Sequence, residues 1–173
     1  MTSQLNVNSI AHSNETTAMT IDASGRVLTP ARPAFRARYS TSTTVGVQGN
    51  IVFNEEDFDI GSNYDTSNGR FTAPVAGIYF FSFTALAAGN TSGGVLGDGS
   101  AMEVRFDKNG SGGLWSNRYY VYLVGATSYI NVNKIDCIQL AANDYIHVNV
   151  LTNYAYSSVD AHYDPVFQGF LIG

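Results

Sequence analysis

Charged residues and cysteines are scarce in this sequence, and each shortage excludes a class of protein. Only 13% of the 173 residues are charged, and the 14 Asp and Glu outnumber the 9 Lys and Arg. Coiled coils and disordered tails carry far more charge, and an acidic surplus disfavours the nucleic-acid backbone as a partner. The single cysteine, Cys137, cannot form a disulfide within the chain. A chain of this length buries a core without one.

Long apolar stretches and an N-terminal signal are also missing. A membrane-spanning helix needs about 18 apolar residues, and the longest candidate, residues 77–89, is interrupted by Ser82 and Thr84. The opening residues MTSQLN contain neither a basic nor an apolar stretch, so we predict no secretory signal. We expect a soluble domain that does not insert into a membrane.

Aromatic residues are absent from residues 1–32, which are rich in Ser, Thr and Asn. Within this segment, residues 18–28 contain two short apolar pieces around a turn at residues 22–25, a pattern typical of a β-hairpin. Two strands alone are marginally stable in water unless something covers them. We therefore interpret residues 1–32 as an N-terminal attachment segment and residues 33–173 as a globular head.

Alternating polarity predicts strand after strand in the head. Residues 102–107 alternate apolar and charged side chains and lead into an Asn109-Gly110 turn, and residues 146–150 alternate in the same way. Both are expected to be half-buried strands. Residues 78–86 are apolar on both faces, as a central strand is. Because no helical stripe exceeds two turns, the pattern predicts an antiparallel sandwich or jelly roll.

Several spaced motifs in the head stand in the order found in one family. They are AFRA at 34–37, IVFN at 51–54, IG at 60–61, YD at 64–65, GRFTAPVAGIYFFSF at 69–83, IQLAANDYI at 138–146 and FQGFL at 167–171. Together they resemble the complement C1q-type globular head. The resemblance implies a ten-stranded antiparallel jelly roll, similar to the tumour-necrosis-factor fold, that assembles as a homotrimer. Asn143 stands where the family usually has Gly, and Asn tolerates the left-handed conformation.

The N-terminal segment differs from the usual context of that family. Family members in animals usually follow a signal peptide and a collagen stalk of Gly-X-Y triplets, and neither pattern occurs here. Instead, MTIDASGRV at 19–27 resembles the short hairpin that precedes head domains in bacteriophage fibre and other virion proteins. This resemblance implies a virion protein, made in the host cytoplasm and released by lysis without a signal peptide.

Catalytic patterns are missing from the sequence. His12, His147 and His162 are scattered, and no nucleophile elbow, metalloprotease motif or phosphate loop occurs. We expect Cys137, which lies in an apolar strand, to be a buried structural thiol. We expect His147, on the polar face of its strand, to be solvated. The sequence therefore predicts no enzyme and no catalytic cofactor.

Two acidic stretches are candidate calcium sites. Residues 55–59 place four carboxylates in a predicted loop, and Asp160 and Asp164 flank a histidine on one face of an extended segment. Hard oxygen ligands of this kind bind Ca²⁺, but solvated acidic loops are the default interpretation. Four arginines at positions 26, 32, 36 and 38 are expected to form cross-strand or inter-subunit ion pairs with the acidic surplus.

Loops that mix aromatic and small polar residues are the candidate ligand-binding sites, because flat rings supply contact area at low entropy cost. The residues singled out are Trp115, Asn117, Tyr119, Tyr120, Tyr154 and Tyr156. Aromatic rings also stack on the faces of sugars. The alternative is that the rings at 115, 119 and 120 line a trimer axis or the core of the sandwich.

The favoured interpretation is a virion structural protein of the phage-fibre or appendage type. Residues 1–32 would bind other virion proteins, and the trimeric head would bind host-surface glycan or protein with avidity from several copies. One alternative is a purely architectural capsid or tail decoration protein. Another is a secreted C1q-like lectin or signalling head of a cellular organism. All 22 aromatic residues follow residue 32, a surplus that a trimer burying extra ring surface explains.

Overall fold

A computed structural model describes residues 7–39, 45–46, 49–89, 100–111, 118–123, 129–152, 157–160 and 165–173. These ranges contain sixteen β-strands and no helix, which confirms the all-β prediction. The N-terminal strands are β1 (Ser9–Ala11), β2 (Thr17–Ile21) and β3 (Val27–Leu28). The head strands are β4 (Ala34–Arg38), β5 (Val45–Gly46), β6 (Gly49–Asn50), β7 (Glu55–Ile60), β8 (Tyr64–Asp65), β9 (Arg70–Thr72), β10 (Gly77–Gly89), β11 (Ser100–Lys108), β12 (Arg118–Leu123), β13 (Tyr129–Leu140), β14 (Tyr145–Thr152), β15 (Ser157–Asp160) and β16 (Val166–Leu171).

The predicted N-terminal hairpin is present, and a third strand extends it. Strand β2 pairs antiparallel with β3 across the turn and with β1 on its other edge, so the three strands form their own sheet. The Asp22 carboxylate accepts hydrogen bonds from the backbone N–H groups of Ser24 and Arg26, at 2.8 and 3.0 Å. Arg26 also pairs with this carboxylate at 2.6 Å. An Asp at the start of a turn stabilises it in this way.

The larger sheet of the head is built around β10. This strand pairs with β13 along one edge and with β16 and then β15 along the other, while β16 pairs with β4 and β4 with β7. Strand β5 pairs with β15. All of these pairs are antiparallel. The central position predicted for residues 78–86 is therefore confirmed, and we call this seven-stranded layer the large sheet.

The second layer, the small sheet, has the order β12-β11-β14-β9-β8, with β6 beside β14. Strands β11 and β14 are more buried than the half-buried pattern predicted. Val104 and Phe106 point into the core as expected, but Glu103, Asp107 and His147 on the other face are buried as well. The alternation of apolar and polar residues predicted the core side of these strands correctly. It did not predict that the polar side chains on the other face are also buried.

The core between the two sheets is dominated by aromatic rings. Phe35 of β4 lies near its centre, with its ring centroid 5.0 Å from Tyr64, 4.8 Å from Phe71 and 4.9 Å from Phe167. Fully buried rings also include Phe53, Tyr79, Phe81, Phe83 and Phe106. Stacked and edge-on ring pairs at these separations each contribute about 0.5–1.5 kcal/mol beyond their buried area. Part of the aromatic surplus therefore belongs to the core.

Two turns depend on residues that tolerate a positive φ. Gly69 has φ +75°, and a Cβ there would lie 2.6 Å from the carbonyl oxygen of Ile51, so only glycine fits. Asn143 has φ +70°, which confirms that Asn replaces Gly in the left-handed conformation. The backbone N–H of Asn143 donates to the carbonyl of Ala73 at 2.8 Å, so this turn connects the β14 entry to the segment before β10.

The acidic segment predicted to be a loop is strand β7. A register shift between Arg36 and Ala37 of β4 inserts one extra residue into the pairing with β7. Arg36 donates to Asp57, and Arg38 donates to Glu55 and, at 2.9 Å, to Asp57. The cross-strand ion pairs predicted for these two arginines are confirmed, and the carboxylates are in a strand because β4 supplies their partners.

Candidate functional site

The outward face of the large sheet, on the side away from the core, carries a cluster of exposed apolar side chains, and the register also places Arg36 of β4 on this face, opposite Phe58. Directly opposed residues of paired strands share a face, so the register places these side chains together: Phe58 and Ile60 of β7, Ile78 and Phe80 of β10, Ile135 of β13, Phe170 of β16, and Ile172 just after it. Six of the ten large hydrophobic residues exposed in the described part of the chain lie here, 40–63% exposed. We call this surface the outward face.

Phe80 and Phe170 form the centre of the outward face. The two residues are directly opposed in the pairing of β10 with β16, and their rings stack with centroids 5.0 Å apart. Ile135, which is 63% exposed, lies on the neighbouring strand β13, opposite Ser82 of β10. A contiguous exposed apolar patch of this kind marks an interaction site.

Cys137 lies on the outward face and is exposed, so the prediction of a buried thiol is wrong. It is directly opposed to Phe80. The reason is that the middle of β13 has inverted polarity: Lys134 points inward and is buried, while Ile135 and Cys137 point outward. The Lys134 ammonium pairs with Asp136 at 3.2 Å and lies 5.4 Å from the centre of the Phe106 ring. A buried charge is tolerated because of these two contacts.

Polar contacts border the apolar centre. Gln168 of β16 donates from Nε2 to the Ser82 hydroxyl at 3.0 Å, and the Thr84 hydroxyl donates to the Asn133 amide oxygen at 2.8 Å. Their cross-strand partners satisfy these groups, so they cost little to bury against another surface. The outward face is therefore built as an apolar centre with a satisfied polar border, which is the anatomy of a protein interface.

The opposite side of the head, on the outer face of the small sheet, carries a buried polar cluster. Its members are Arg70 of β9, Glu103, Arg105 and Asp107 of β11, and His147 and Asn149 of β14. Nη1 of Arg105 lies 3.7 Å from Oε1 of Glu103. The Asn149 amide donates a hydrogen bond to the Asn50 amide oxygen at 2.8 Å. The two arginines balance the two carboxylates, so the cluster is electrically neutral when His147 is neutral.

His147 is 2% exposed, so the prediction that it is solvated is wrong. Its ring stacks on Tyr145 at 5.9 Å, and Arg70 lies 4.3 Å above the centre of the Tyr145 ring. Its Nε2 is 3.6 Å from the Asp107 carboxylate. Burial lowers the pKa of His147, Asp107 opposes this shift, and Arg70 and Arg105 add to it. The imidazole is therefore neutral at pH 7.

Charge balance and ring stacking contribute to the stability of the polar cluster. In the described part of the chain, several of its buried atoms have no hydrogen-bond partner: Arg70 Nε, Arg105 Nε, Asp107 Oδ1, His147 Nδ1 and Asn149 Oδ1. Protonation of His147 would add a third positive charge beside Arg70 and Arg105, against the two carboxylates of the cluster. The cluster is thus sensitive to protonation of His147.

The sequence-predicted ligand-binding residues are only partly covered by the described ranges. Tyr119 and Tyr120 lie in β12, where they are opposed to Val104 and Glu103 of β11. Trp115, Asn117, Tyr154 and Tyr156 lie outside the described residues. The structure therefore places the two tyrosines at an edge of the small sheet and leaves the ligand-binding role of all six as a prediction.

Three of the four carboxylates at residues 55–59 have protein partners in the structure, and calcium binding there stays a prediction. Arg38 forms an ion pair with Glu55, and Arg36 forms one with Asp57. The Asp59 carboxylate accepts a hydrogen bond from the backbone N–H of Tyr64 at 2.8 Å. Burial raises the pKa of Glu56, and the nearby carboxylates of Asp59 and Asp65 raise it further. Among the described residues no group of His, Cys, Asp and Glu is arranged to hold a metal ion.

The other candidate calcium ligands are not described in enough detail to be assessed. Asp160 ends β15, where its backbone is opposed to Leu86 of β10, and Asp164 lies outside the described residues. Calcium binding there stays a prediction. As for membranes, no described helix has the length and apolar character of a transmembrane span.

Comparison with known proteins identifies the head. The family model of the C1q domain matches residues 34–172, which is most of the chain. The chain belongs to the C1q domain family. This match confirms the family resemblance of the sequence motifs and the jelly-roll fold. The C1q domain family is generally non-enzymatic, which agrees with the scattered histidines of the sequence.

Two kinds of relative support the assignment. The globular domain of the zebrafish complement 1qA protein has the same fold, with a TM-score of 0.60 and 16% identity, over 82% of this chain and 98% of that one. Complement C1q tumor necrosis factor-related protein 3 of human and of mouse is 40% identical over 53 residues, which is 31% of this chain. The chain spans only 21% of the length of these two relatives.

Proposed function

We propose that this chain is the subunit of a homotrimeric, non-catalytic binding head, and that its three copies meet through the outward face. The observation that carries the proposal is the apolar centre around Phe80 and Phe170, which no described part of the chain covers. C1q domains generally form trimers. Burying the exposed half of one such side chain contributes about 1 kcal/mol, so a face with six of them contributes several kcal/mol per subunit.

Sedimentation equilibrium of the full chain tests the assembly. The proposal predicts a single species with three times the mass of the 18.6-kDa chain, unchanged on dilution through the micromolar range. A mass of one chain at micromolar concentration overturns it. A mass of two chains would keep the interface and overturn the threefold symmetry.

The finer proposal is that the head is displayed on a virus particle. Residues 1–32 would attach it to other virion proteins, and the aromatic loops would bind host-surface glycan or protein. Two observations support it: the sequence MTIDASGRV at 19–27 resembles the short hairpin that precedes virion head domains, and the sheet that contains it is separate from both head sheets. Three copies on one particle would bind a repeated host ligand with avidity.

Two measurements test this finer proposal. Mass spectrometry of purified particles should find the chain as a constituent. The purified head should also bind host cells, with Trp115→Ala and Tyr156→Ala weakening binding while leaving the trimer intact. Val75→Ala, at an exposed position in the turn before β10, is the matched control.

A negative result in either measurement would favour one of the two alternative functions. A head that is present on particles but does not bind cells is an architectural decoration protein. A chain absent from particles is a cellular C1q-like head, an alternative that the human and mouse relatives favour.

A further inference from the structure

We infer that the N-terminal sheet of each subunit packs against the N-terminal sheets of the other two, so that residues 9–28 form a second trimeric contact ahead of the head. The inference rests on the trimer proposed above and extends it to a part of the chain that the C1q domain match does not include. Further copies of this chain would cover one apolar face of the N-terminal sheet.

The register shows which side chains share that face. Met19 and Ile21 are two residues apart on β2 and therefore point to the same side. Ile10 of β1 is directly opposed to Met19, and Val27 of β3 is directly opposed to Ile21. These four side chains form one apolar face, which we call the N-terminal face. The other side of β2 presents Thr20, flanked by Ser9 and Leu28.

The N-terminal face has no second layer in the described part of the chain. Ile10 is 45% exposed and Val27 is 60% exposed. A sheet of three strands of two to five residues needs an apolar face packed against something to be stable in water. The described residues leave this face open to a partner, and another subunit can supply the missing layer.

Charge distribution favours other copies of the same chain as that surface. At a threefold axis each residue meets its own copies, so a charged group there would face a like charge. None of the four side chains on the N-terminal face is ionisable, and the ion pair of this sheet, Asp22 with Arg26, lies in the turn. A face without charge is the kind that can contact itself.

Chain connectivity brings the copies together. The N-terminal sheet ends at Leu28, and β4 of the large sheet begins at Ala34. In a trimer joined through the large sheets, a short connection that contains Pro30 and Pro33 tethers each N-terminal sheet to a strand of the interface sheet. Such tethering gives an effective concentration on the order of millimolar, at which even a weak contact forms.

Hydrogen exchange of the full-length protein tests the inference. We expect slow amide exchange in β2 of the unmodified trimer and loss of that protection in Met19→Asp. Thr20→Asp, which places the same charge on the opposite side of the same strand, is the matched control and should keep the protection. Both variants should retain the mass of the trimer, because the head is untouched.

Three outcomes overturn the inference. In the first, β2 is protected equally in Met19→Asp and in the unmodified protein. In the second, β2 of an unmodified trimer is not protected at all, and in the third, β2 stays fully protected in a variant whose head is monomeric. Absence of protection in the unmodified trimer would instead favour a virion partner as the occupant. If the unmodified protein is itself a monomer, the proposed function fails, and sedimentation shows this separately.

Discussion

The ring of Phe80 stacks on that of Phe170 across two neighbouring strands, with centroids 5.0 Å apart, on the side of the large sheet that faces away from the core. Aromatic residues contribute strongly to protein cores and interfaces, where a stacked pair adds stabilisation beyond the area that it buries. Phe170 is 44% exposed in the isolated subunit. This pair links the fold to assembly, since a C1q domain that trimerises through this sheet buries both rings.

Substitution at the centre of the outward face should dissociate the trimer. Phe170→Asp removes a ring whose exposed part contributes about 1 kcal/mol per subunit when the proposed trimer buries it, and it places three carboxylates in an apolar interface. We expect the mass measured by light scattering after gel filtration to fall from that of three chains to that of one.

The control for Phe170→Asp is Val75→Asp. Val75 is also apolar, and its exposed fraction of 47% is close to the 44% of Phe170. It lies in the turn before β10. Val75→Asp should leave the trimer intact. Equal dissociation by the two variants, or none by Phe170→Asp, would contradict the assignment of the interface.

Acid should destabilise the fold through His147. Because the folded-state pKa of His147 lies below its usual 6.5, the unfolded chain binds the proton more readily. The stability that the neutral ring contributes is therefore present above pH 6.5 and is lost as the pH falls from 6.5 towards the lowered pKa. Protonation adds a third positive charge beside Arg70 and Arg105, against two carboxylates.

Urea unfolding between about pH 7.5 and about pH 5 measures this effect. We expect the free energy of unfolding to decrease on acidification and the decrease to be smaller in His147→Gln, whose side chain does not titrate. His12→Gln, at an exposed histidine of the N-terminal sheet, should leave the slope unchanged. An identical slope in His147→Gln would show that the polar cluster does not sense the proton.

Asp144 should stabilise the head in its ionised form. It accepts hydrogen bonds from Lys108 at 2.7 Å, from the Asn109 amide at 2.7 Å and from the backbone of Ala141 at 2.7 Å. These donors lower the pKa of Asp144 from 3.8 to about 2. Its contribution is therefore present above pH 3.8 and is lost as the pH falls towards about 2.

Asp144→Asn should lower the Tm of the head at pH 7 and reduce the part of its acid sensitivity that lies below pH 3.8. Circular dichroism melts over this range measure both effects. Asp22→Asn is the control, because the pKa of Asp22 is also lowered but the residue lies in the N-terminal sheet. The account is contradicted if both variants shift the head melt equally.

Gly169 should be irreplaceable in β16. A Cβ at this position would lie 2.6 Å from Cδ1 of Phe81 and 2.8 Å from the carbonyl oxygen of Phe80. Gly169→Ala therefore overpacks the junction of core and sheet, at a cost of about 1–3 kcal/mol. Gly173→Ala, where nothing lies within 4 Å, should be neutral in the same chemical-denaturation experiment. A neutral Gly169→Ala would mean that β10 and β16 can separate easily.

Local pattern was enough to predict the core side of most strands. Phe35, Phe106 and Val148 follow a period of two and all point inward. The apolar run at residues 78–86 predicted a central strand, and β10 indeed has a paired neighbour on each edge. The spaced motifs then identified the family, which the family model confirms.

Pattern could not predict environments that depend on partners distant in sequence. Cys137 points outward and Lys134 points inward, because Asp136 and the Phe106 ring stabilise the buried Lys134 ammonium. His147 is buried beside Arg70 and Arg105, which lie on other strands. The acidic stretch at 55–59 became a strand because arginines of β4 pair with it. Except for Asp136, these neighbours lie far in the sequence from the residues whose environment they determine.

The most direct test of the outward face as the interface uses the natural thiol of Cys137, which is directly opposed to Phe80. In the isolated subunit this thiol is exposed, so a trimer closed through the outward face should shield it. We predict slow reaction of Cys137 with a thiol reagent in the native unmodified protein and fast reaction in Phe170→Asp. Reaction in the native trimer as fast as in the unfolded chain would contradict the account.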